Sequence, residues 1–321
     1  MKDRFHRQID YLRISVTDRC NFKCRYCFPS GGRELLAQSD ILSYEEIIRA
    51  AQSAIKMGID KFRITGGEPL LRKGIIGFIE ELINLPGTRK VSLTTNGYLL
   101  DDYAGELSRL NLHSVNIGLN SLKSDIFQSI TGINGMKRVW DGISKLLEVG
   151  IRNIKINTVL LNGINENEVL DFARLTINYS LTVRFIEYMP CGNWDEKQED
   201  IVRVGAIKKI IMGKLGELKP VQPDISNGPA QYYRLNDSKG WLGFIAPVSS
   251  PFCDKCNRLR LTSDGYLKSC LLSDDEIDIK DILRAEPFEP DKLESVIKQA
   301  VLNKPLKHLC RRDNIMSRIG G

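Results

Sequence analysis

Three closely spaced cysteines are the residues of this sequence best suited to chemistry. Cys20, Cys24 and Cys27 follow the spacing C-x3-C-x2-C. A [4Fe–4S] cube normally takes four cysteine thiolates, so a set of three leaves one iron without a protein ligand. An open coordination position allows a metal site to bind a second molecule and to do chemistry on it. The spacing therefore favours an iron–sulfur site whose open iron takes a small chelating molecule, with Tyr26 placed to pack against it.

Zinc is the main alternative for a short cysteine cluster. A structural zinc takes four ligands, and the three histidines, His6, His113 and His308, form no local Cys3His set with these cysteines. Disulfides are not expected, because a chain of 321 residues is far longer than the small secreted domains that depend on them. The spacing favours iron–sulfur over zinc but leaves zinc open.

A second incomplete set of cysteines lies some 230 residues further on. Cys253, Cys256 and Cys270 follow the spacing C-x2-C-x13-C, which by itself is most typical of part of a zinc ribbon. Arg258 and Arg260 come directly after, and on a strand they point to the same side. Two guanidinium groups beside a metal site suit phosphate or carboxylate oxygens. A solvated basic strand is the alternative.

The first triad resembles the signature of the radical S-adenosylmethionine (SAM) enzymes. The aromatic residue Phe28 follows the third cysteine, and a Gly-Gly-Glu-Pro run at residues 66–69 follows the second predicted strand, as in that superfamily. There, the open iron is chelated by the amino and carboxylate groups of SAM. The reduced cluster then cleaves SAM to a 5′-deoxyadenosyl radical. Two motifs in the right order identify the chain as a member of this superfamily.

The whole chain resembles one family within it. The two triads, the arginine pair and the terminal Gly320-Gly321 together, from Arg13 to the end, resemble the GTP 3′,8-cyclases of molybdenum cofactor biosynthesis, which are lyases. The resemblance implies that the radical removes the hydrogen at C3′ of GTP. The C3′ radical then attacks C8 of guanine, a step on the way to (8S)-3′,8-cyclo-7,8-dihydroguanosine 5′-triphosphate.

The resemblance also implies roles for individual residues. The first triad holds a [4Fe–4S] cluster that binds SAM, and the second triad holds another whose open iron binds the guanine of GTP. The SAM contacts carry over to Tyr26 (through its main chain), Gly67, Gly118 and Met189. The GTP contacts carry over to Arg13, Arg63, Thr94, Lys155, Arg258, Leu259 and Arg260. Gly320 and Gly321 would enter the active site, where residues without a Cβ fit a narrow space.

Partners and location follow from the same comparison and from composition. The resemblance implies a reductant that supplies electrons, a downstream cyclic pyranopterin monophosphate synthase and a possible homodimer. A net charge of +6 suits a polyanionic small substrate without requiring nucleic acid, and no apolar stretch approaches the ~20 residues that span a membrane. We expect a cytoplasmic protein, because a reducing compartment keeps thiols reduced. Two alternatives remain: another two-cluster radical SAM enzyme, such as a peptide-modifying one, and a non-catalytic zinc-binding module.

The elements that position these residues show alternating strand and helix patterns up to about Met189. This predicts βα units around a parallel sheet. Six units, fewer than the eight of a closed barrel, predict a partial (βα)6 barrel with the site at the carboxyl ends of its strands. The predicted strands are Tyr11–Ser15, Lys61–Thr65, Lys90–Thr94, Ser114–Leu119, Asn153–Leu160 and Thr182–Glu187.

After about residue 190 the pattern changes to short strands, prolines and one long helix. We expect a smaller α+β region at 191–321 that closes the open side of the barrel at 1–190 and carries the second cluster and the Gly-Gly tail. The predicted elements are strands Gln231–Leu235 and Trp241–Ile245, a hairpin of Arg258–Leu261 and Tyr266–Ser269, and a helix at Pro290–Asn303.

Overall fold

The computed structural model describes residues 1–27, 35–189, 201–222, 228–307 and 316–320. Within these residues, six parallel strands form the centre of one sheet and neighbour each other in chain order. This is the parallel arrangement that the alternating pattern predicts. The strands are β1 (Tyr11–Ser15), β2 (Lys61–Thr65), β3 (Lys90–Thr95), β4 (Ser114–Gly118), β5 (Ile154–Leu160) and β6 (Thr182–Glu187).

Helices connect these strands and cover the outer face of the sheet. They are α1 (Tyr44–Lys56), α2 (Ile75–Asn84), α3 (Leu100–Arg109), α4 (Ser124–Thr131), α5 (Met136–Glu148) and α6 (Val169–Asn178). Helix α1 begins with a capping box: Glu46 N donates to Ser43 Oγ at 3.2 Å and Ser43 N donates to Glu46 Oε2 at 2.6 Å. Among the described helices, none is long and apolar enough to cross a membrane.

The C-terminal strands join both edges of the same sheet. One group extends it beyond β6, with β9 parallel to β6, and the other extends it beyond β1, with β10 parallel to β1. The strands are β7 (Lys219–Val221), β8 (Gln231–Arg234), β9 (Trp241–Ile245), β10 (Arg258–Leu261), β11 (Tyr266–Lys268) and β12 (Glu276–Asp278). The helices are α7 (Val204–Leu215), α8 (Lys280–Arg284), α9 (Pro290–Leu302) and α10 (Met316–Ile319).

The two faces of the sheet differ in polarity. Residues such as Leu12 and Ile64 are fully buried in the apolar core between strands and helices. The residues that alternate with them face the inside of the curved sheet and are mostly polar. Because β1 pairs in register with β2 and with β10, Arg13 lies between Arg63 and Arg260. The register therefore gathers arginines that are distant in sequence on one polar inner wall.

Candidate active site

Two adjoining cavities open on the inner wall, and each contains one cysteine triad. Cys20, Cys24 and Cys27 line a cavity of about 300 Å³, which we call the first-triad cavity. Cys253, Cys256 and Cys270 line a cavity of about 250 Å³, which we call the second-triad cavity. The residues that line both cavities are Thr94, Asn157, Ile186, Met189 and Leu271. Two small molecules, one bound in each cavity, would therefore meet across a shared wall.

The Gly-Gly-Glu-Pro turn after β2 holds the start of the first cysteine loop. Gly67 N donates to Thr17 O at 2.7 Å, and Glu68 N donates to Arg19 O at 2.8 Å. A Cβ on Gly67 would overlap Arg19 O, so only glycine allows this approach of the two chains. The motif thus fixes the position from which the cysteine loop leaves β1.

Glu68 ties the ends of two strands to that loop. Its buried carboxylate accepts hydrogen bonds from Thr95 Oγ1 at 2.7 Å and from Asn96 N at 2.6 Å. Burial raises the pKa of Glu68 to about 7, although these hydrogen bonds act in the opposite direction. The Asn96 amide in turn donates to Asn21 Oδ1 at 2.7 Å and lies 3.7 Å from Cys20 Sγ. Asn96 directly follows β3, so it lies at the carboxyl ends of the strands, where the sequence predicts the site.

The four residues predicted to contact SAM line the first-triad cavity together. They are Tyr26, Gly67, Gly118 and Met189. The Tyr26 hydroxyl accepts a hydrogen bond from Asn120 Nδ2 at 2.6 Å, which fixes its ring beside the triad. Burial, followed by the charges of the neighbouring thiols, raises the pKa of Tyr26 well above its usual value. The phenol therefore remains neutral and serves as a wall of the cavity.

The two triads differ in their electrostatic surroundings. Burial, and then the neighbouring Cys20, raises the pKa of Cys24 to about 12. Burial also acts to raise the pKa of Cys256, but the positive charges of Arg258 and Lys304 outweigh it and lower this pKa to about 6. Metal binding displaces thiol protons, so this displacement is easier at Cys256 than at Cys24.

The second-triad cavity is strongly positive. Its wall includes six cationic side chains, and none of the described residues that line it is Asp or Glu. The cations are Arg13, Arg63, Arg184, Arg258, Arg260 and Lys304. Burial, then repulsion from Arg260 and Arg63, lowers the pKa of Arg13 well below its usual value. A ligand with several negative charges would relieve this repulsion and match the guanidinium groups.

Two residues predicted to contact GTP, Lys155 and Leu259, and one residue of the predicted tail, Gly321, are not among the described residues that line either cavity. Lys155 is 1% exposed and lies on the same face of β5 as Asn157, and burial, and then Arg184, lowers its pKa to about 6. The side chain of Leu259 faces the apolar core beside Leu12, so only its main chain is on the side of the cavity. Gly321 lies outside the described residues.

Gly320 lies between the two cavities. Its carbonyl accepts a hydrogen bond from Arg260 at 3.1 Å, and a Cβ on it would clash with the Thr65 side chain. Thr65 lines the first-triad cavity and Arg260 lines the second. A φ of +78° also favours glycine at this position.

Sequence reasoning missed Arg184 as a residue of the wall. Its guanidinium donates to Asn157 Oδ1 at 2.8 Å and to Asn116 Oδ1 at 2.5 Å, which directs it along the inner face. The signal was present in β6, where Arg184 alternates with the apolar Val183 and Phe185. Lys304 was also missed, and it lies beyond α9, where no periodic pattern indicates a cavity.

The cysteines fit iron–sulfur clusters. All six lie at partly exposed positions, and each triad lines one cavity instead of surrounding a single point. Among the described residues, no three His, Cys, Asp or Glu side chains are arranged to hold a single metal ion. The Phe22 N–H also donates to Cys20 Sγ at 3.4 Å, and hydrogen bonds to sulfur are a means by which proteins tune such clusters.

Comparison with known proteins decides the family. Residues 14–176 match the family model of the radical SAM superfamily, and residues 181–310 match that of Molybdenum Cofactor Synthesis C. The chain is 44% identical to GTP 3′,8-cyclase of Thermodesulfovibrio yellowstonii, with 100% of both chains covered. It is 44% identical to GTP 3′,8-cyclase of Geobacter sulfurreducens, with 99% of both covered. The chain belongs to the GTP 3′,8-cyclase family. It is therefore an enzyme of the radical SAM class, and the family predicted from the sequence is confirmed.

Solved structures confirm the fold class of this GTP 3′,8-cyclase family member. SuiB of Streptococcus suis bound to S-adenosylmethionine superposes with a TM-score of 0.62 at 16% identity, covering 91% of this chain and 68% of that one. SuiB bound to its precursor peptide SuiA gives a TM-score of 0.60 at 16% identity, with 94% and 72% covered. At this identity the likeness shows the fold alone, so it does not favour a peptide substrate.

Proposed function

We propose that the two cavities form one chamber in which GTP is cyclised, with SAM at the first triad and GTP at the second. As a member of the GTP 3′,8-cyclase family, the chain is a radical SAM enzyme of molybdenum cofactor biosynthesis that uses SAM, iron–sulfur chemistry and GTP. The observation that supports the proposal is that the two cavities share part of their wall. The shared residues include Thr94 and Met189, so SAM and GTP would meet there, and hydrogen would be transferred at this point.

Two [4Fe–4S] clusters, one on each triad, are the finer part of this proposal. Each cavity offers three thiols, and each set would leave one iron open for a ligand. When bound on the first triad, a cluster would supply the electron for cleavage of SAM into methionine and the 5′-deoxyadenosyl radical, the species that would take hydrogen from C3′ of GTP. All other tasks fall to the protein.

Those tasks are binding, orientation and exclusion of water. The cations of the second-triad cavity would hold the triphosphate, with Arg258 and Arg260 beside the cysteines and Arg13 and Arg63 on neighbouring strands. Lys155, buried on the same face of β5 as Asn157, would become protonated when the triphosphate binds. Tyr26 and the main chain of Gly67 and Gly118 would bound the SAM site.

Several wider features belong to the same proposal. We propose a radical SAM unit at 1–190 and a C-terminal unit at 191–321 that carries the second cluster. The proposal also includes an external reductant, delivery of the product to cyclic pyranopterin monophosphate synthase, and a homodimer. A cytoplasmic location suits thiols that must stay reduced.

Anaerobic reconstitution with GTP deuterated at C3′ tests the function. Iron, sulfide and zinc are measured first, and then SAM and a chemical reductant are added. We expect iron and sulfide on the protein, a 3′,8-cyclised nucleotide, and one deuterium in the 5′-deoxyadenosine formed. Zinc in place of iron, or 5′-deoxyadenosine without deuterium, would contradict the proposal.

A further inference from the structure

We propose that Lys304 and Arg7 are positioning residues that together hold all three cysteine-bearing segments of the second triad. The inference rests on the proposed function of that triad as a cluster site. Neither residue belongs to a cysteine motif, and the two are almost 300 positions apart in the sequence. Both are buried, with 2% of Lys304 and 6% of Arg7 exposed.

Lys304 connects two of the three segments. Its ammonium donates to Arg258 O at 2.9 Å, two residues after Cys256, and to Ser269 O at 2.5 Å, immediately before Cys270. These carbonyls lie at the start of β10 and just past the end of β11. One buried cation therefore fixes the spacing between the segments that carry the second and third cysteines.

Arg7 holds the remaining segment. Its guanidinium donates to Cys253 O at 2.7 Å. It also donates to Pro305 O at 2.8 Å and to Lys304 O at 3.3 Å, on the segment that carries the lysine. The first cysteine and the Lys304 main chain are thus attached to the same planar group, whose donors have a fixed geometry.

Asp3 fixes the orientation of Arg7. Its buried carboxylate accepts from Arg7 Nε at 2.6 Å and from Arg7 N at 2.9 Å. A second link lies alongside, where Asn257 Nδ2 donates to Asp10 Oδ1 at 2.7 Å. The N-terminal segment therefore supports the second triad through hydrogen bonds. Removing one buried member of such a network leaves the carbonyls that it bonded without a donor.

Direct contact of Lys304 with the nucleotide is the competing role, because Lys304 also lines the second-triad cavity. The two roles differ in what fails first. A positioning residue affects the cysteine segments with no nucleotide present, whereas a nucleotide contact affects only the affinity for GTP.

Amide hydrogen exchange on the metal-free protein separates these roles. We expect Lys304→Met to speed exchange roughly tenfold at 253–258 and 268–271, as lost buried hydrogen bonds allow local opening. The first cysteine loop should exchange as in the unchanged protein, which would also show that the chain still folds. The exposed Lys307→Met is the matched control. Unchanged exchange at both segments in Lys304→Met would overturn the inference.

Iron content gives a second test in a background with Cys20, Cys24 and Cys27 replaced by Ala. That protein should retain only the second cluster, and adding Lys304→Met or Arg7→Met should remove most of its iron. If the background itself holds no iron, the proposed cluster fails. If it holds iron that both added changes leave in place, the cluster stands and the role of Lys304 and Arg7 is wrong.

Discussion

The arginines of this chain serve different purposes, and their hydrogen-bond partners decide which. Arg318 forms ion pairs with Asp264 and with Glu276, both at 2.8 Å, so its charge is compensated inside the protein. Arg258 instead packs over the Phe252 ring at 5.2 Å, and Arg260 donates to the neutral carbonyl of Gly320. Neither of these contacts is with a carboxylate, so both guanidinium groups can also bind an anionic ligand.

Removing either cavity arginine should weaken GTP binding. We expect Arg258→Ala or Arg260→Ala to cost about 1.5–3 kcal/mol, the range for a lost charge-assisted contact. Cleavage of SAM without cyclisation should continue, because the first-triad cavity is untouched. Calorimetric titration with GTP measures the effect, and the exposed Arg109→Ala on α3 is the control. Unchanged affinity in both single variants would show that these arginines do not bind the nucleotide.

Lys155 should take up a proton when GTP binds. Burial, and then Arg184, lowers its pKa from 10.5 to about 6, so the amine is mostly neutral at about pH 8 in the free enzyme. The triphosphate raises this pKa, and affinity should therefore fall as pH rises above about 6. In the unfolded chain this amine has its ordinary pKa of 10.5, so between about pH 6 and pH 10.5 the unfolded chain binds more protons than the folded enzyme. The free energy of unfolding of the free enzyme should therefore increase over this pH range.

Calorimetry in two buffers with different ionisation enthalpies measures this proton uptake. Working at about pH 8 keeps the triphosphate fully ionised, so that its own titration does not contribute. Lys155→Met should abolish the uptake, whereas the exposed Lys145→Met should leave it unchanged. Equal uptake in the unchanged protein and in Lys155→Met would contradict the prediction.

At the scale of elements, the C-terminal helix α10 depends on its contacts with the hairpin of β10 and β11. Arg318 O accepts from Ser263 N at 3.3 Å, and the Arg318 guanidinium packs over the Tyr266 ring at 4.8 Å. Ile319 is buried at 1% exposure. These contacts place Gly320 against Thr65 and Arg260, so the tail lies in the wall between the cavities.

Changes to the tail should abolish cyclisation while sparing the fold. Deletion of Gly320 and Gly321 should leave iron content unchanged but remove the cyclised product, because displacing a reacting group by ~1 Å can cost ~100-fold in rate. Gly320→Ala should act similarly, since its Cβ would clash with Thr65. The control is Gly150→Ala, which has a similar φ of +83° but no atom within 4 Å of the added Cβ. If the truncated protein forms the cyclised product at the full-length rate, the tail has no role in the reaction.

At the scale of the whole molecule, the two triads are built by different parts of the chain. The first depends on the loop after β1 and on the Gly-Gly-Glu-Pro turn after β2. The second depends on the segments around β10 and β11, supported from Arg7 and Lys304. The supports described for the two triads have no residue in common, so loss of one cluster should not entail loss of the other.

Replacing Cys20, Cys24 and Cys27 together by Ala should therefore roughly halve the iron, since each triad would hold its own cube. Cleavage of SAM should be lost completely, whereas GTP should still bind. Iron analysis and the yield of 5′-deoxyadenosine measure these effects, with replacement of Cys253, Cys256 and Cys270 as the reciprocal variant. SAM cleavage by the first variant would contradict the assigned roles.

Most of the central sheet could be predicted from local pattern. Strands Tyr11–Ser15, Lys61–Thr65 and Thr182–Glu187 were predicted with the bounds that the structure shows, because polar and apolar residues alternate along them. The bounds of helix α2 were not predicted, although Ile75, Phe78, Ile79 and Leu82 have helical spacing and are buried. Its largely apolar composition resembles a buried strand as much as a helix, so periodicity alone is ambiguous.

The sequence by itself determined the two cysteine triads, the Gly-Gly-Glu-Pro turn and the parallel βα order. It also determined that Arg258 and Arg260 lie on the same side of their strand. All of these depend on spacing along a short stretch, where backbone geometry is nearly fixed. Only the tertiary structure decided that both triads line adjoining cavities, that Arg184 completes the cationic wall, and that Lys304 and Arg7 support the second triad. Such contacts join residues up to almost 300 positions apart. They depend on the register of neighbouring strands and on which distant segments pack together, and no local sequence pattern specifies either.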